Sequence, residues 1–393
     1  MTRAQRGTLA GCAVGIAGGW NIGNVGAIAA ELARAYDVTL VVVGLFTTAL
    51  FLTHTAVQIP GGKACDRFGA VRVASVGVLT ISLGDLIALL APHPALAIGA
   101  RGLMGLGTGL CFVAGISLVR EAGGSPFAQG LFGGIALAAG GVALAVVPQL
   151  AGGPGGWRMP FLTSLSLAVA ALALLLALRP RAVHPASLMP PGHRSTGVLR
   201  DPRLWRLASL FATSYGLSVV LGNWVIELLD RHSAMGYSTA AVVGASTLVL
   251  GAVTRPLGGW ILRRHPRRAR PAIAWSLVAG ASGTVALMLA DSAWMAAAGG
   301  VLVGIGAGIP FAPSLAAAAL ARPEAPAASM GFVNTVGNAI VLLGVPLLGL
   351  SFSIAGAGRA GFAVAALLWL AALLALPSDR ALGVEAVPAT RPA

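Results

Sequence analysis

The sequence predicts an all-α integral membrane protein with twelve transmembrane helices in two pseudo-symmetric six-helix bundles. Three observations predict it. First, the 393 residues are 57% hydrophobic and 10% charged, with a mean hydropathy of +0.86. An average soluble domain carries roughly 25% charged residues. A chain this apolar cannot cover a water-facing surface, so lipid is the solvent for most of it. Second, the apolar residues fall into twelve runs, each near the roughly 20 residues a spanning helix requires. Third, the basic residues fall overwhelmingly on one side of those runs.

The runs are 8–30, 39–60, 73–91, 95–119, 127–150, 159–179, 204–228, 238–262, 271–290, 293–320, 329–351 and 360–377. They are continuous and rich in Leu, Ala and Gly, whereas a β-barrel would show short alternating segments. The 54 glycines fit membrane helices, where small residues let backbones approach closely. Leu9–Cys12, "LAGC", matches a lipoprotein cleavage pattern. The apolar run follows Cys12 instead of preceding it, so the first run is expected to be a retained helix and not a signal peptide.

After the second run comes a knot of charge, "GGKACDRFGAVR" at Gly61–Arg72, which holds the only lysine, Lys63. A short "PHP" turn at 92–94 joins the third and fourth runs. After the sixth run, a Pro-, Arg- and His-rich stretch divides the chain six and six. The expected organisation is therefore an N-terminal bundle (1–180), a cytoplasmic linker (181–203), a C-terminal bundle (204–377) and a short cytoplasmic tail (378–393).

With the N-terminus inside, 20 of the 26 basic residues lie in inner segments and only Arg34, Arg158, Arg231 and Arg359 in outer loops. By the positive-inside rule, both termini are expected in the cytoplasm of a cell inner membrane. The same asymmetry explains the net charge of +14 without nucleic acid. The three cysteines, Cys12, Cys65 and Cys111, have no metal-ligand spacing and suggest no disulfide framework. There is no G-x-x-x-x-G-K-[ST] phosphate loop, so neither an enzyme nor a primary pump is expected.

The halves echo each other at an offset of about 197 residues: "IPGGKACDR" (59–67) with "RPLGGWILRR" (255–264), "MGLGTGL" (104–110) with "VGIGAGI" (303–309), and "AVVPQL" (145–150) with "LGVPLL" (343–348). Repeated six-helix halves are a transporter architecture, with the solute site near the midplane between them.

On these residues the chain resembles the major facilitator superfamily. Gly62, Asp66, Arg67, Gly69 and Arg72 fit its loop motif between the second and third helices. "RGLMGLGTG" (101–109) resembles its fourth-helix motif, and "GWRMPF" (156–161) is of a type common at the start of its sixth helix. The resemblance implies that the loop aspartate and arginine latch the halves on the cytoplasmic side. The alternative is a solvated topogenic loop. Two departures stand out. The fifth helix, "GGIALAAGGVALAVVP", lacks the antiporter Gly-Pro pair, and Arg263 occupies the second-half place of Asp66.

Several polar residues lie at membrane depth. Asp85 and Arg101 are each eight residues from His93. They are expected at similar depth as a membrane ion pair, structural or proton-coupling, because buried ions tend to pair. Arg255 is the only charge in the eighth run. It is a candidate for binding an anion, with a snorkelling interface residue as the alternative. Gln58 stands at its repeat-matched place, with His54 one turn away. Asn21, Asn24, Asn223, Asn334 and Asn338 complete the candidate substrate-binding set, each weighed against plain interhelical hydrogen bonding. Trp20, Tyr215 and Trp224 either wall a cavity or pack.

The expected function is secondary active transport of a small polar or anionic solute by alternating access, coupled to protons. The alternatives are an exporter of hydrophobic compounds and a non-transporting membrane sensor on the same fold. The expected partners are a small-molecule substrate, the lipid bilayer and protons. No cofactor, metal or nucleic acid is expected, and the chain is expected to act as a monomer.

Overall fold

The computed structural model describes all residues except 91, 179–196, 234, 357 and 385–393. Most of the expected linker and the end of the tail therefore lie outside the described residues. Every element is helical: α1 (Arg3–Gly23), α2 (Ala29–Ala35), α3 (Leu40–Phe68), α4 (Ala70–Leu90), α5 (Pro94–Glu121), α6 (Pro126–Ala151) and α7 (Met159–Leu178), then α8 (Pro202–Phe211) and α9 (Ser218–His232). These are followed by α10 (Gly236–Arg264), α11 (Pro266–Leu289), α12 (Ala293–Gly308), α13 (Phe311–Ala321), α14 (Pro326–Leu350) and α15 (Arg359–Ala371).

Among the described residues, eleven helical stretches are long and apolar enough to cross a membrane, and a shorter apolar one spans Arg359–Ala375. Three of the expected runs are interrupted. The first bends into α2 through a 3₁₀ turn at Gly26–Ile28. The tenth breaks between α12 and α13 at Pro310, which cannot continue the hydrogen-bond ladder. The seventh carries a π-helical insert, Ala212–Leu217, between α8 and α9. Such inserts rotate the downstream face of a helix and recur at functional sites.

Helix starts follow local chemistry. Pro94, Pro126, Pro202, Pro266 and Pro326 each open a helix, where a missing N–H costs nothing. Ser125 and Asp201 accept hydrogen bonds from the backbone N–H groups of Ala128 and Arg203. The end of α3 needs Gly69, whose φ of 86° lies where side chains are strained.

The helices of residues 3–178 pack on one another, as do those of 202–375, and the two groups meet through α3 with α14 and α6 with α10. These meetings lie toward the end of the bundle that carries Asp66, which sits in the last turn of α3 and not in the expected loop, since only Gly69 separates α3 from α4. A Cβ added at Gly62 or Gly331 would overlap the backbone of α14 or α3 respectively; one at Gly130, Gly134 or Gly259 would overlap backbone across the α6–α10 seam. Toward the opposite end, a Cβ at Gly44 of α3 or Gly141 of α6 would meet nothing within 4 Å. The bundle is thus zipped at the Asp66 end and parted at the other.

Candidate functional site

The zipped end is held by Asp66. Its Oδ1 accepts from the Ala327 N–H at 3.0 Å and its Oδ2 from the Ala328 N–H at 2.9 Å. Both amides belong to the first turn of α14, where N–H groups lack intrahelical partners and the helix dipole favours negative charge. Gly62, one turn earlier on α3, lets α14 come close enough for this contact. Arg67 and Arg72 are exposed, and the Arg67 guanidinium sits 5.1 Å from the Phe68 ring centroid. Arg263, at the repeat-matched place, reaches the Ser125 hydroxyl at 3.5 Å, so the seam has a carboxylate contact on one side only.

Farther into the bundle, between the two helix groups, lies a cavity of about 40 Å³. That volume accommodates about three water molecules. Its wall includes Gly18 and Ile22 of α1, His54 of α3, Thr108 and Phe112 of α5, Tyr215 of the π-helical insert, Arg255 of α10 and Asn334 of α14.

Arg255 is 4% exposed, so it is a buried group and not a snorkelling one. Its guanidinium carbon stands 4.2 Å from the Phe311 ring centroid and 5.5 Å from that of Tyr215. Cations are attracted to such ring faces. One terminal nitrogen, Nη1, donates to the Gly133 carbonyl of α6 at 2.6 Å, across the seam. Among the described residues no carboxylate forms an ion pair with it, and Nε has no hydrogen-bond partner.

His54 is fixed from both sides. Gln58 Nε2 donates to its Nε2 at 2.8 Å, and its Nδ1–H donates to Thr108 Oγ1 at 2.9 Å. Thr108 passes its own hydrogen to the Gly105 carbonyl at 3.0 Å. Asn334 also faces the cavity, and its Nδ2 is buried without a partner.

The remaining candidates lie elsewhere. Arg101 does not pair directly with Asp85. It is fully buried, and its Nη2 donates to the Asn21 carbonyl at 2.8 Å, while Nη1 donates to Asn21 Oδ1 at 3.2 Å and Asn24 Oδ1 at 3.4 Å. Three oxygens on one face of α1 thus take the guanidinium from the carboxylate. Asn21 Nδ2 donates in turn to Ser164 Oγ at 2.8 Å, and Asn24 Nδ2 to the Pro160 carbonyl at 3.0 Å. The two asparagines therefore tie α1 to α5 and α7 and do not line the cavity. Asp85 is fully buried, and Ser164 and Arg101 are the polar groups acting on it.

Asn223 is exposed and donates to the Val219 carbonyl of its own helix. Asn338 sits behind the cavity, accepting from the Tyr215 hydroxyl at 3.2 Å and donating to the Asn334 carbonyl at 2.9 Å. Trp20 and Trp224 pack, donating to Thr163 Oγ1 and the Val345 carbonyl. Of the eight expected substrate-binding residues, Arg255, His54 and Asn334 reach the cavity. Gln58 orients His54 from behind.

Sequence reasoning passed over Thr108, Phe112 and Phe311. Thr108 carried a weak signal as the one hydroxyl within the glycines of "MGLGTGL". The phenylalanines carried none, because an apolar residue in an apolar helix looks the same whether it faces lipid or cavity.

Residues 9–345 match the Major Facilitator Superfamily. The chain belongs to that superfamily. Its members are transporters and not enzymes, and this one is accordingly a multi-pass membrane protein. It is 25% identical over 342 residues to a probable nitrate/nitrite transporter of Mycobacterium tuberculosis, covering 81% of this chain and 80% of that one. It is 24% identical over 343 residues to a cyanate transport protein of Escherichia coli, covering 85% and 86%. A 2-nitroimidazole transporter of Escherichia coli is 26% identical over 324 residues, covering 80% of each. Among solved structures, the transporter FucP in the outward conformation superposes with a TM-score of 0.72 at 16% identity, covering 95% of this chain and 98% of that one. The proton:xylose symporter XylE gives 0.72 at 13% identity, covering 94% of each. At these identities the structural likeness establishes the superfamily fold.

Proposed function

We propose that the chain is a secondary active transporter that carries a small anionic solute across the cell inner membrane by alternating access, driven by protons and acting as a monomer. The observation that carries this reading is Arg255: a buried guanidinium with no carboxylate partner among the described residues, in a cavity between the two helix groups. An uncompensated buried charge is costly, so a site that holds one is built for a ligand of opposite sign. The relatives named for nitrate/nitrite and cyanate transport support an anion as cargo.

The two parts of the molecule, 1–180 and 204–377, rock about this cavity. With the basic loops in the cytoplasm, the zipped Asp66 end faces inward and the parted end outward, so this conformation loads from outside. Asp66 on the α14 N-terminus is the contact that must break for release inward. Asp85 is the proton carrier. It is a buried carboxyl with only Ser164 and an arginine acting on it, and that arginine could exchange Asn21 and Asn24 for it once the proton leaves.

Flux in proteoliposomes tests the reading. A panel of organic and inorganic solutes should yield an anion whose uptake responds to an imposed pH gradient. Arg255→Ala should abolish that uptake, with Arg255→Lys retaining part of it. If the best substrate is a cation, or if the alanine variant transports normally, Arg255 is not the anion site.

A further inference from the structure

We infer that the tip of the α10–α11 hairpin, Arg263–Arg270, binds the headgroup of an anionic phospholipid in the leaflet at the Asp66 end. The inference stands apart from the cavity and from Arg255.

Charge comes first. Arg263, Arg264, Arg267, Arg268 and Arg270 stand within eight residues, and all five are exposed. The sequence holds no acidic residue between Asp230 and Asp291. Among the described residues, none of the five takes part in an ion pair. Arg263 reaches the Ser125 hydroxyl at 3.5 Å, which carries no charge to offset it. Topology follows the count of basic residues and is nearly indifferent to carboxylates. The matched turn of the first half, with Asp66 between Lys63 and Arg67, therefore serves topology as well. What the acid-free tip adds is an unbalanced positive field, which a bound anion relieves.

The place comes next. Gly259, near the end of α10, packs on the Pro126 backbone of α6, so the tip stands at the zipped end. Val253, Leu257, Trp260 and Arg264 are all exposed and follow one another at spacings of four, three and four residues. Such spacing is one face of a helix. An exposed apolar face of a spanning helix meets acyl chains, so this face runs from acyl chains through Trp260 to Arg264. The start of α11 has the same order, with Arg268, Pro271 and Trp275 exposed at spacings of three and four. Tryptophan favours the membrane interface, where its ring sits at headgroup level. Trp260 stands edge-on to His265, with ring centroids 5.1 Å apart, which places it at the tip.

The ligand follows from the two together. The guanidinium fork fits phosphate oxygens in pairs. Basic clusters just beyond the end of a spanning helix attract acidic lipids. A soluble phosphate would use the arginines alone. A phospholipid uses the arginines for its phosphate and the Val253–Leu257–Trp260 face for its chains.

Trp260 tests this in proteoliposomes of the full-length protein, its emission taken as the difference between the wild type and Trp260→Phe. The vesicles hold equal parts of phosphatidylcholine and phosphatidylglycerol, with brominated chains on one or the other. Bromines on phosphatidylglycerol should quench Trp260 roughly two-fold more than bromines on phosphatidylcholine, because a bound headgroup keeps its own chains beside the ring. The triple variant Arg267→Gln, Arg268→Gln, Arg270→Gln should weaken phosphatidylglycerol binding by about 100-fold, at roughly five-fold per arginine, and erase the preference. Arg203→Gln with Arg206→Gln, which removes other exposed arginines, should leave the preference intact. Where the triple variant does not fold, about 1 M salt should erase the preference in the wild type, because screening then acts within ~3 Å. Equal quenching by the two lipids in the wild type would overturn the site, as would a preference that survives the triple variant. An equal loss on changing Arg203 and Arg206 would replace the site by diffuse surface charge. Displacement of the lipid by millimolar glycerol 3-phosphate would make the ligand a soluble phosphate. None of these outcomes depends on what the cavity carries.

Discussion

Arg101 and Arg255 are both buried arginines in apolar helices, yet they do opposite work. Arg101 spends its N–H groups on α1, on the Asn21 carbonyl and the side chains of Asn21 and Asn24. It is a strut inside the first helix group. Arg255 keeps Nε unspent and faces a cavity. Removing the strut should therefore cost stability, because Asn21 and Asn24 would lose their charged partner. Arg101→Ala is expected to destabilise the protein by about 2–4 kcal/mol, read as a lower melting temperature in detergent. Arg255→Ala should leave the melting temperature of the ligand-free protein near or above that of the wild type, since it removes an uncompensated buried charge. Asp85 differs again. If it carries the coupled proton, Asp85→Asn should abolish pH-driven accumulation while leaving exchange of external for internal substrate intact. Accumulation at the wild-type level would exclude it from coupling.

At the scale of elements, the seam is made by helix ends and glycines. Asp66 binds the first turn of α14 as a cap would, but from another helix and across the seam. A carboxylate so placed contributes about 1–2 kcal/mol. Asp66→Asn should therefore shift the population toward the opposite conformer by roughly ten-fold without harming insertion. Cys65, fully buried beside the latch, reports this: in a chain with Cys12 and Cys111 replaced by serine, Cys65 should react faster with a maleimide once Asp66 is neutralised. Gly331 sits where a side chain would strike the α3 backbone. Gly331→Leu should hold the zipped end apart and stop transport, with normal amounts of protein in the membrane. The π-helical insert is the other element that shapes the cavity. It presents Tyr215 to the cavity while its hydroxyl reaches Asn338. No run of apolar residues foretells such an insert, since it depends on one extra residue being accommodated against α14.

For the whole molecule, the parted end and the zipped end make a directional statement. A cysteine at Gly44, where the structure leaves open space, should react with a membrane-impermeant maleimide from the side opposite the basic loops. Native Cys65 should not react in the same vesicles. Reaction of Gly44→Cys from the same side as the basic loops would reverse the orientation. Adding the transported anion should slow the reaction, because closing the parted end over the solute is what alternating access requires.

The apolar runs and the motif at Gly62–Arg72 were legible in the sequence, because each is a local property. Twenty apolar residues span a bilayer wherever they stand, and a basic loop stays inside for its own charge. Rotation of a helix about its axis is not local. These helices are apolar on nearly every face, so no amphipathic stripe says which side meets a cavity and which meets lipid or a neighbour. For that reason Asn21, Asn24 and Asn334 looked alike as polar residues in membrane helices. Packing turned the first two onto Arg101 and left the third on the cavity wall. Asp85 and Arg101 are level in the sequence hairpin, yet α1 brings three oxygens to the arginine from far along the chain. The sequence determined that this chain lives in a membrane. Only the tertiary structure decided which buried charge is tied to its neighbours and which stands on a cavity wall, since that depends on what other helices bring to it.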